Sequence, residues 1–287
     1  MRIILSRKGF DSTYGGVPSP IHTPTGEMYS LPIPENPPRE HNVRYSDIRF
    51  GSHTAGAIVS DLTGGKISSD SQAHLDPDLN RDCLDRPHGW MPAFGQASAA
   101  ERHLQNNAVQ AGDVFLFYGW FREVQKVNGI YQYNHGAPNI HVIFGWLQVG
   151  RRICLDDYEH VPPWAHSHPH GQPPKHHALD SIYISNEQLR IPGEKRVIPG
   201  AGVFKTFHPQ LQLTARGASR SLWKLPLWLF PGEDKPNLTY HQNAARWHKT
   251  NDSTLLQTVS RGQEFVLDGD RHPEAIEWLS SLLRLSQ

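Results

Sequence analysis

Two runs near the middle of the chain constrain the fold more than any other feature. Residues 113–121 read DVFLFYGWF and residues 141–149 read HVIFGWLQV, both dense in β-branched and aromatic side chains. Such side chains suit a pleated, buried surface, so both runs are strands, buried in part on both faces. The segment between them carries Asn-Gly and His-Gly-Ala-Pro turn signals, which predicts antiparallel pairing. Shorter strands are predicted at residues 2–5, 181–185, 211–214 and 264–267. Residues 98–109 have helical spacing, with Ser98 as N-cap and Glu101 three residues on in the capping-box pattern. The apolar spacing of Ile276, Leu279, Leu282 and Leu283 predicts a closing amphipathic helix over 273–285. Residues 56–60 form a short element that leads into a turn at 61–65. The proline-rich stretch 17–52 and the Asp-, Arg- and Pro-rich stretch 74–91 read as irregular loops. This order gives an α+β fold: a mixed sheet or partly closed β-barrel, few helices and long irregular loops, with a strand core over about 111–215.

A chain of 287 residues suits one large domain or two closely joined ones, and at that size it needs no disulfides to bury a core. Cys83 and Cys154 read as reduced thiols of a cytoplasmic protein. The opening MRIILSRKGF lacks a signal-peptide core, and no apolar run approaches the roughly 20 residues that span a bilayer, so no membrane partner is expected. With 28 basic and 28 acidic side chains the net charge is zero, which argues against global attraction to nucleic acid or acidic lipid. A local basic face is still compatible with that balance. Mean hydropathy is −0.55, polar yet unlike the high-net-charge profile of a disordered chain.

Several nucleotide and hydrolase signatures fail. Gly64-Gly65-Lys66 lacks the first glycine of a phosphate loop and has Ile67 where Ser or Thr would bind the metal. Gly200-Ala201-Gly202 lacks the third glycine of a dinucleotide fingerprint, and there is no G-x-S-x-G elbow. What stands out among the 18 histidines is their pairing with carboxylates. His74-Leu75-Asp76 puts two ligand types at i and i+2, which on a strand point the same way. Joined by a distant histidine, they would make the facial triad of non-haem iron sites. His208 is a candidate for that histidine, and Arg216 or Arg220 beyond it could clamp a carboxylate co-substrate, as in 2-oxoglutarate oxygenases. His53 and Asp61 are further candidate ligands. Asp76, Asp78, Asp82 and Asp85 crowd one loop, which needs a cation, or Arg81 and Arg86, to offset their repulsion. A solvated loop with internal ion pairs explains that loop equally well.

Residues 160–177 hold His160, His166, His168, His170, His176 and His177 among prolines. Such a tract binds metal, either functionally or adventitiously, or closes over a site as a lid. Trp120 and Trp146 lie in apolar strands and read as core. Trp90, Trp164 and Trp223 lie in polar surroundings where an indole could stack a flat base. Arg81, Trp90, Arg220 and Trp223 are therefore the candidate substrate-binding side chains. Asp11 and Tyr14 on the first loop, and Glu264, are candidate proton-transfer groups.

Five runs, in order, resemble the nucleotide modification associated domain 3 family. They are ILSRKGFDSTYGG; SDLTGG with HLDPDLNRD; FGQASAAERHL with GDVFLFYGWFR; HVIFGWLQVG; and LQLTARGASRSLWKLPLW with GQEFVLD. The likeness spans nearly the full length and implies one domain over residues 1–287, with a role connected to base modification. The resemblance leaves open whether members catalyse, bind or regulate. The two central strands also resemble, more loosely, those of PUA-like domains of the ASCH and EVE types, which recognise modified bases or RNA in the cleft of a small barrel. Two functions are thus expected. One is a metal-dependent enzyme, with iron or another divalent transition metal, acting on a nucleotide or modified nucleobase. The alternative is a PUA-like module that binds a modified base or nucleic acid without turnover.

Overall fold

The computed structural model describes residues 1–23, 25–38, 43–155, 161–171, 179–232, 236–260 and 262–286. Its centre is the predicted antiparallel pair, now seen as long strands Val114–Val127 and Ile140–Cys154. Phe115, Leu116, Phe117, Val142, Ile143 and Leu147 are fully buried, as expected for strands covered on both faces. Around this pair the sheet runs in the order Glu264–Asp268, Arg2–Arg7, Val114–Val127, Ile140–Cys154, Asp180–Ser185, Ala93–Ala97. Arg2–Arg7 pairs parallel to Val114–Val127 and antiparallel to Glu264–Asp268, so the sheet is mixed. With Ser19–His22, Glu27–Met28, Ile130–Tyr133 and Ala201–Val203 attached, it curls into a half-barrel. The fold is α+β, with three α-helices among the described residues.

Sequence and structure part company at the small elements. The stretch expected as a short element and turn at 56–65 is helix α1, Ala55–Thr63. Thr54 caps it, its side chain accepting from the Ala57 N–H, and Gly64 ends it in the left-handed conformation. Asp61 therefore sits on a helix rather than a turn. Helix α2, Ser98–Asn106, lies where expected, but the capping box does not form. Ser98 takes a positive φ of 56°, the N-cap is Ala97, and no side chain caps it. Glu101 is instead drawn fully into the interior. It accepts from Ser181 Oγ, Tyr183 OH, Arg152 and Gln105 at 2.8–3.0 Å, tying α2 to the sheet. Residues 211–214, expected as a strand, form the end of a 3-10 turn and two isolated bridges. The closing helix α3, Glu274–Leu283, buries Ala275, Leu279, Leu282 and Leu283 against the main core.

A second apolar cluster packs α1 through Ile58, Val59 and Leu62 against Tyr45 and Tyr131. A third joins Trp90, Trp164, Ile182 and Ile184 at the Ala93–Ala97 edge of the sheet. Among the described residues no helix is long and apolar enough to cross a membrane.

Candidate metal centre

The site is built at that sheet edge. An edge strand presents backbone N–H groups that lack a neighbour. The Gly95 N–H donates instead to Asp76 Oδ1 at 2.7 Å, which draws Asp76 out of its loop and buries it. His74 ends the two-residue strand Ala73–His74, paired with Ile33–Pro34. The third group, His170, comes from the histidine tract. Residues 163–167 and 169–171 form two 3-10 turns, each opened by a proline. The tract doubles back so tightly that a Cβ on Gly171 would stand 1.7 Å from the Ala165 carbonyl oxygen. Trp164 anchors the tract in the third apolar cluster.

One ligand atom from each of His74, Asp76 and His170 lies within 4.8 Å of the others. Each histidine is oriented by a buried carboxylate. His74 Nδ1 is 2.8 Å from Glu35 Oε2, and His170 Nδ1 is 2.8 Å from Asp180 Oδ1. A carboxylate acceptor places the proton on Nδ1 and leaves Nε2 with its lone pair, the arrangement that a metal-binding imidazole requires. Two histidines and a carboxylate form the donor set of a facial triad.

The electrostatics agree with that use. Burial alone would push the Asp76 carboxyl up, yet neighbouring His168, His170 and Lys8 hold it well below the usual range, so it is anionic. Burial pushes the His170 imidazole down, against the opposing pull of Asp180 and Asp76. His168 Nε2 stands 3.4 Å from Asp76 Oδ1 without forming a well-aligned hydrogen bond, a buried donor left orphaned at the heart of the site. Gly95 is needed for the close fit, because a Cβ there would meet the His170 ring at 2.2 Å.

Beside Asp76 opens a cavity of about 340 Å³ with walls that include Phe144, Phe204 and the stacked rings of Tyr29 and Phe50, 4.9 Å apart. That volume lies in the range of small-molecule pockets. Below the sheet edge, Lys8 Nζ lies 3.3 Å from Glu264 Oε1 and 4.4 Å over the Phe94 ring. Gln96 also donates to Glu264 Oε1 at 2.6 Å, and Glu264 Oε2 is buried without a hydrogen bond. Burial pushes the Glu264 carboxyl up, against the pull of Lys8.

The remaining expected residues are placed elsewhere. His53 packs among the rings of His22, Tyr29 and Tyr131, and Asp61 accepts the backbone N–H of Tyr131 at 2.9 Å. His208 is exposed and caps a 3-10 turn, its Nδ1 accepting from the Gln210 N–H. None of the three joins the His74–Asp76–His170 group. Asp11 Oδ1 is occupied by the N–H groups of Thr13 and Tyr14, and Tyr14 is half exposed at 51%. Two of the four crowded acids are compensated by arginine, as Arg86 makes a bidentate pair with Asp78 and Arg49 pairs with Asp85. Arg86 and Arg81 lie 4.1 and 5.1 Å from the Trp90 ring.

Trp146 is core as expected, but the other tryptophan expectations are reversed. Trp90 and Trp164 are buried, and Trp223 is wholly so, packed on Tyr118, His141 and Phe265. None of the three presents a face for a base to stack on. Trp120, read as core, is instead partly exposed and carries the Arg220 guanidinium 4.2 Å above its ring. His160, His176 and His177 lie outside the described residues.

The fold and the site together define an α+β protein with a curled mixed sheet and a histidine–carboxylate cluster at its edge. The family model of nucleotide modification associated domain 3 matches residues 2–268, and the chain belongs to that family. No curated protein and no solved structure matches the chain.

Proposed function

We propose that the chain is a metal-dependent enzyme acting on a nucleotide, modified base or related small molecule, with a divalent transition metal such as iron held by His74, Asp76 and His170. One observation carries this reading. Two imidazoles, each fixed through Nδ1 by its own buried carboxylate, gather with an anionic, buried aspartate so that one ligand atom of each lies within 4.8 Å of the others. A purely structural ion-pair network has no need for two carboxylate-oriented histidines beside a shared aspartate. Held there, the metal would supply Lewis-acid or redox chemistry. The chain's own groups have separate tasks: Glu35 and Asp180 fix the imidazole planes, and the Gly95 N–H holds Asp76. The aromatic-walled cavity beside Asp76 is the place for a flat base. Glu264, its carboxyl pushed up by burial and facing Lys8, is a group able to hold a proton near the site. The family's association with nucleotide modification supports the substrate class.

The stacked Tyr29 and Phe50 rings favour a second reading, in which the cavity binds a base without turnover. Metal content decides between them. Elemental mass spectrometry on anaerobically prepared protein is expected to show near-stoichiometric transition metal. That metal should be lost in His74→Ala, Asp76→Ala and His170→Ala while each variant stays folded. Metal-free protein after supplementation, with nucleoside binding indifferent to chelators, would sink the enzyme reading in favour of the binding module.

A further inference from the structure

A second group of charged side chains gathers on the sheet away from the His74–Asp76–His170 cluster. Strand register places it. Arg7 lies opposite Tyr118, and Trp120 lies opposite His141. Tyr118 and Trp120 are two residues apart on one strand and so share a face, which puts Arg7 and His141 on that face as well. The Tyr118 and His141 rings are 5.3 Å apart. Arg220 reaches the same face from the loop between the Thr214–Trp223 bridge partners, lying 4.2 Å over Trp120. Its backbone carbonyl accepts from Thr214 Oγ1, which itself accepts the His141 N–H, so the loop is tied to the strand beneath.

Neither the Arg7 nor the Arg220 guanidinium makes a hydrogen bond or an ion pair among the described residues, although both are half-buried. Burial and the neighbouring Arg7 charge both work against the charged form of Arg220, and Asp11 only partly offsets them. The third group, His141, is held neutral. Burial, then Arg220 and Arg7, push its imidazole down to about 3. Its Nδ1 accepts from the Trp223 indole N–H at 3.0 Å, and an indole can only donate. The ring proton is therefore on Nε2, as a donor with no protein acceptor among the described residues. Two guanidinium forks and one imidazole N–H thus share one face of the sheet with no protein acceptor among the described residues, and like charges gathered there are a cost that an anion would relieve.

We propose that Arg7, His141 and Arg220 form a binding site for a phosphoryl group. Planar guanidinium forks match the oxygens of a phosphate, and two arginines balance its roughly two negative charges at neutral pH. A carboxylate, with one charge and two oxygens, would leave donors unpaired. Trp120, beneath Arg220 and partly exposed, supplies an optical reporter.

The test is calorimetric titration of the full chain at fixed ionic strength with inorganic phosphate, then with a nucleoside monophosphate, its nucleoside and acetate. Phosphate is expected to bind, to change Trp120 fluorescence and to raise the thermal midpoint. The monophosphate should bind more tightly than the nucleoside. Arg7→Gln and Arg220→Gln should each weaken phosphate binding about tenfold or more. Without phosphate their thermal midpoints should match or exceed that of the wild type, because a like-charge repulsion has gone. The same affinity in His74→Ala would show that the site stands independently of the metal centre. Failure of phosphate to bind, equal binding of acetate, or unaltered affinity in both arginine variants would overturn the proposal. So would a fall in midpoint without loss of phosphate affinity, which would make the arginines structural.

Discussion

Gly95→Ala tests the metal centre through a residue that offers no ligand. The Gly95 N–H would still donate to Asp76, and its backbone has no positive φ, so alanine meets no conformational penalty there. Its Cβ would stand 2.2 Å from His170 Cδ2 and 2.3 Å from Cγ, where ordinary contact begins at 3.4 Å. The imidazole must therefore shift by the difference, about 1.2 Å, which changes its position relative to Asp76 and strains the Asp180 bond that orients it. Disturbing a ligand's orientation to this degree costs about 10–100-fold in metal affinity, or roughly 1.4–2.7 kcal/mol. The metal-free protein should also lose about 1–3 kcal/mol, because the same Cβ overpacks the buried ring whether or not metal is bound. The assay is a competitive titration of cobalt(II) or zinc against a chromophoric chelator, beside a thermal melt of the metal-free form. Wild-type affinity in Gly95→Ala would refute the reasoning, because the ring could not then be both packed on Gly95 and a ligand.

Two further outcomes concern stability. His241 is fully buried, with Nδ1–H donating to Thr239 O at 3.0 Å and Nε2 accepting from the Val259 N–H at 3.2 Å, so a second ring proton would face a donor. Burial first, with Arg246 adding to it, pushes the imidazole down to about 4 from 6.5. The unfolded chain then binds more protons between those values, so stability is lost as pH falls through that window, by about 3 kcal/mol at most. Urea unfolding from pH 7.5 to 4.5 should show the loss, and a His241→Gln profile as steep as the wild type would refute it. Glu101→Ala, which strands Ser181, Tyr183 and Arg152 around a vacated site, should cost about 3–5 kcal/mol. A loss of under about 1 kcal/mol would show that Glu101 does not anchor α2.

The central strands were legible because their signal is intrinsic: β-branched and aromatic density survives any tertiary context, and the pairing follows from the turn between them. Helix α1 was not, because Gly56 and the Thr-Gly-Gly end of its run read as turn chemistry. Yet Gly56 is there for close approach, since a Cβ would meet Ser69 at 2.8 Å, and the double glycine is a C-cap rather than a loop. The capping box over Ser98 and Glu101 misled for a related reason. A spacing that usually serves the helix end was overridden by three partners on the sheet, which bury the carboxylate more favourably than an exposed cap would.

The candidate site divides along the same line. His74 and Asp76 could be paired from sequence because their juxtaposition is local. The closing histidine cannot be singled out from eighteen by spacing, and His208, the candidate with Arg216 and Arg220 beyond it, is not the one delivered. What selects His170 is an absence: a glycine on the edge strand leaves room for one ring, and the glycine at 171 lets the tract fold back to deliver it. The carboxylates that orient the two imidazoles lie 39 and 10 residues from them in the chain. Sequence spacing reports ligands that are neighbours in the chain, as His74 and Asp76 are even though the strand ends at His74. It is silent on ligands delivered by packing, where the informative residues are the ones with no side chain to read.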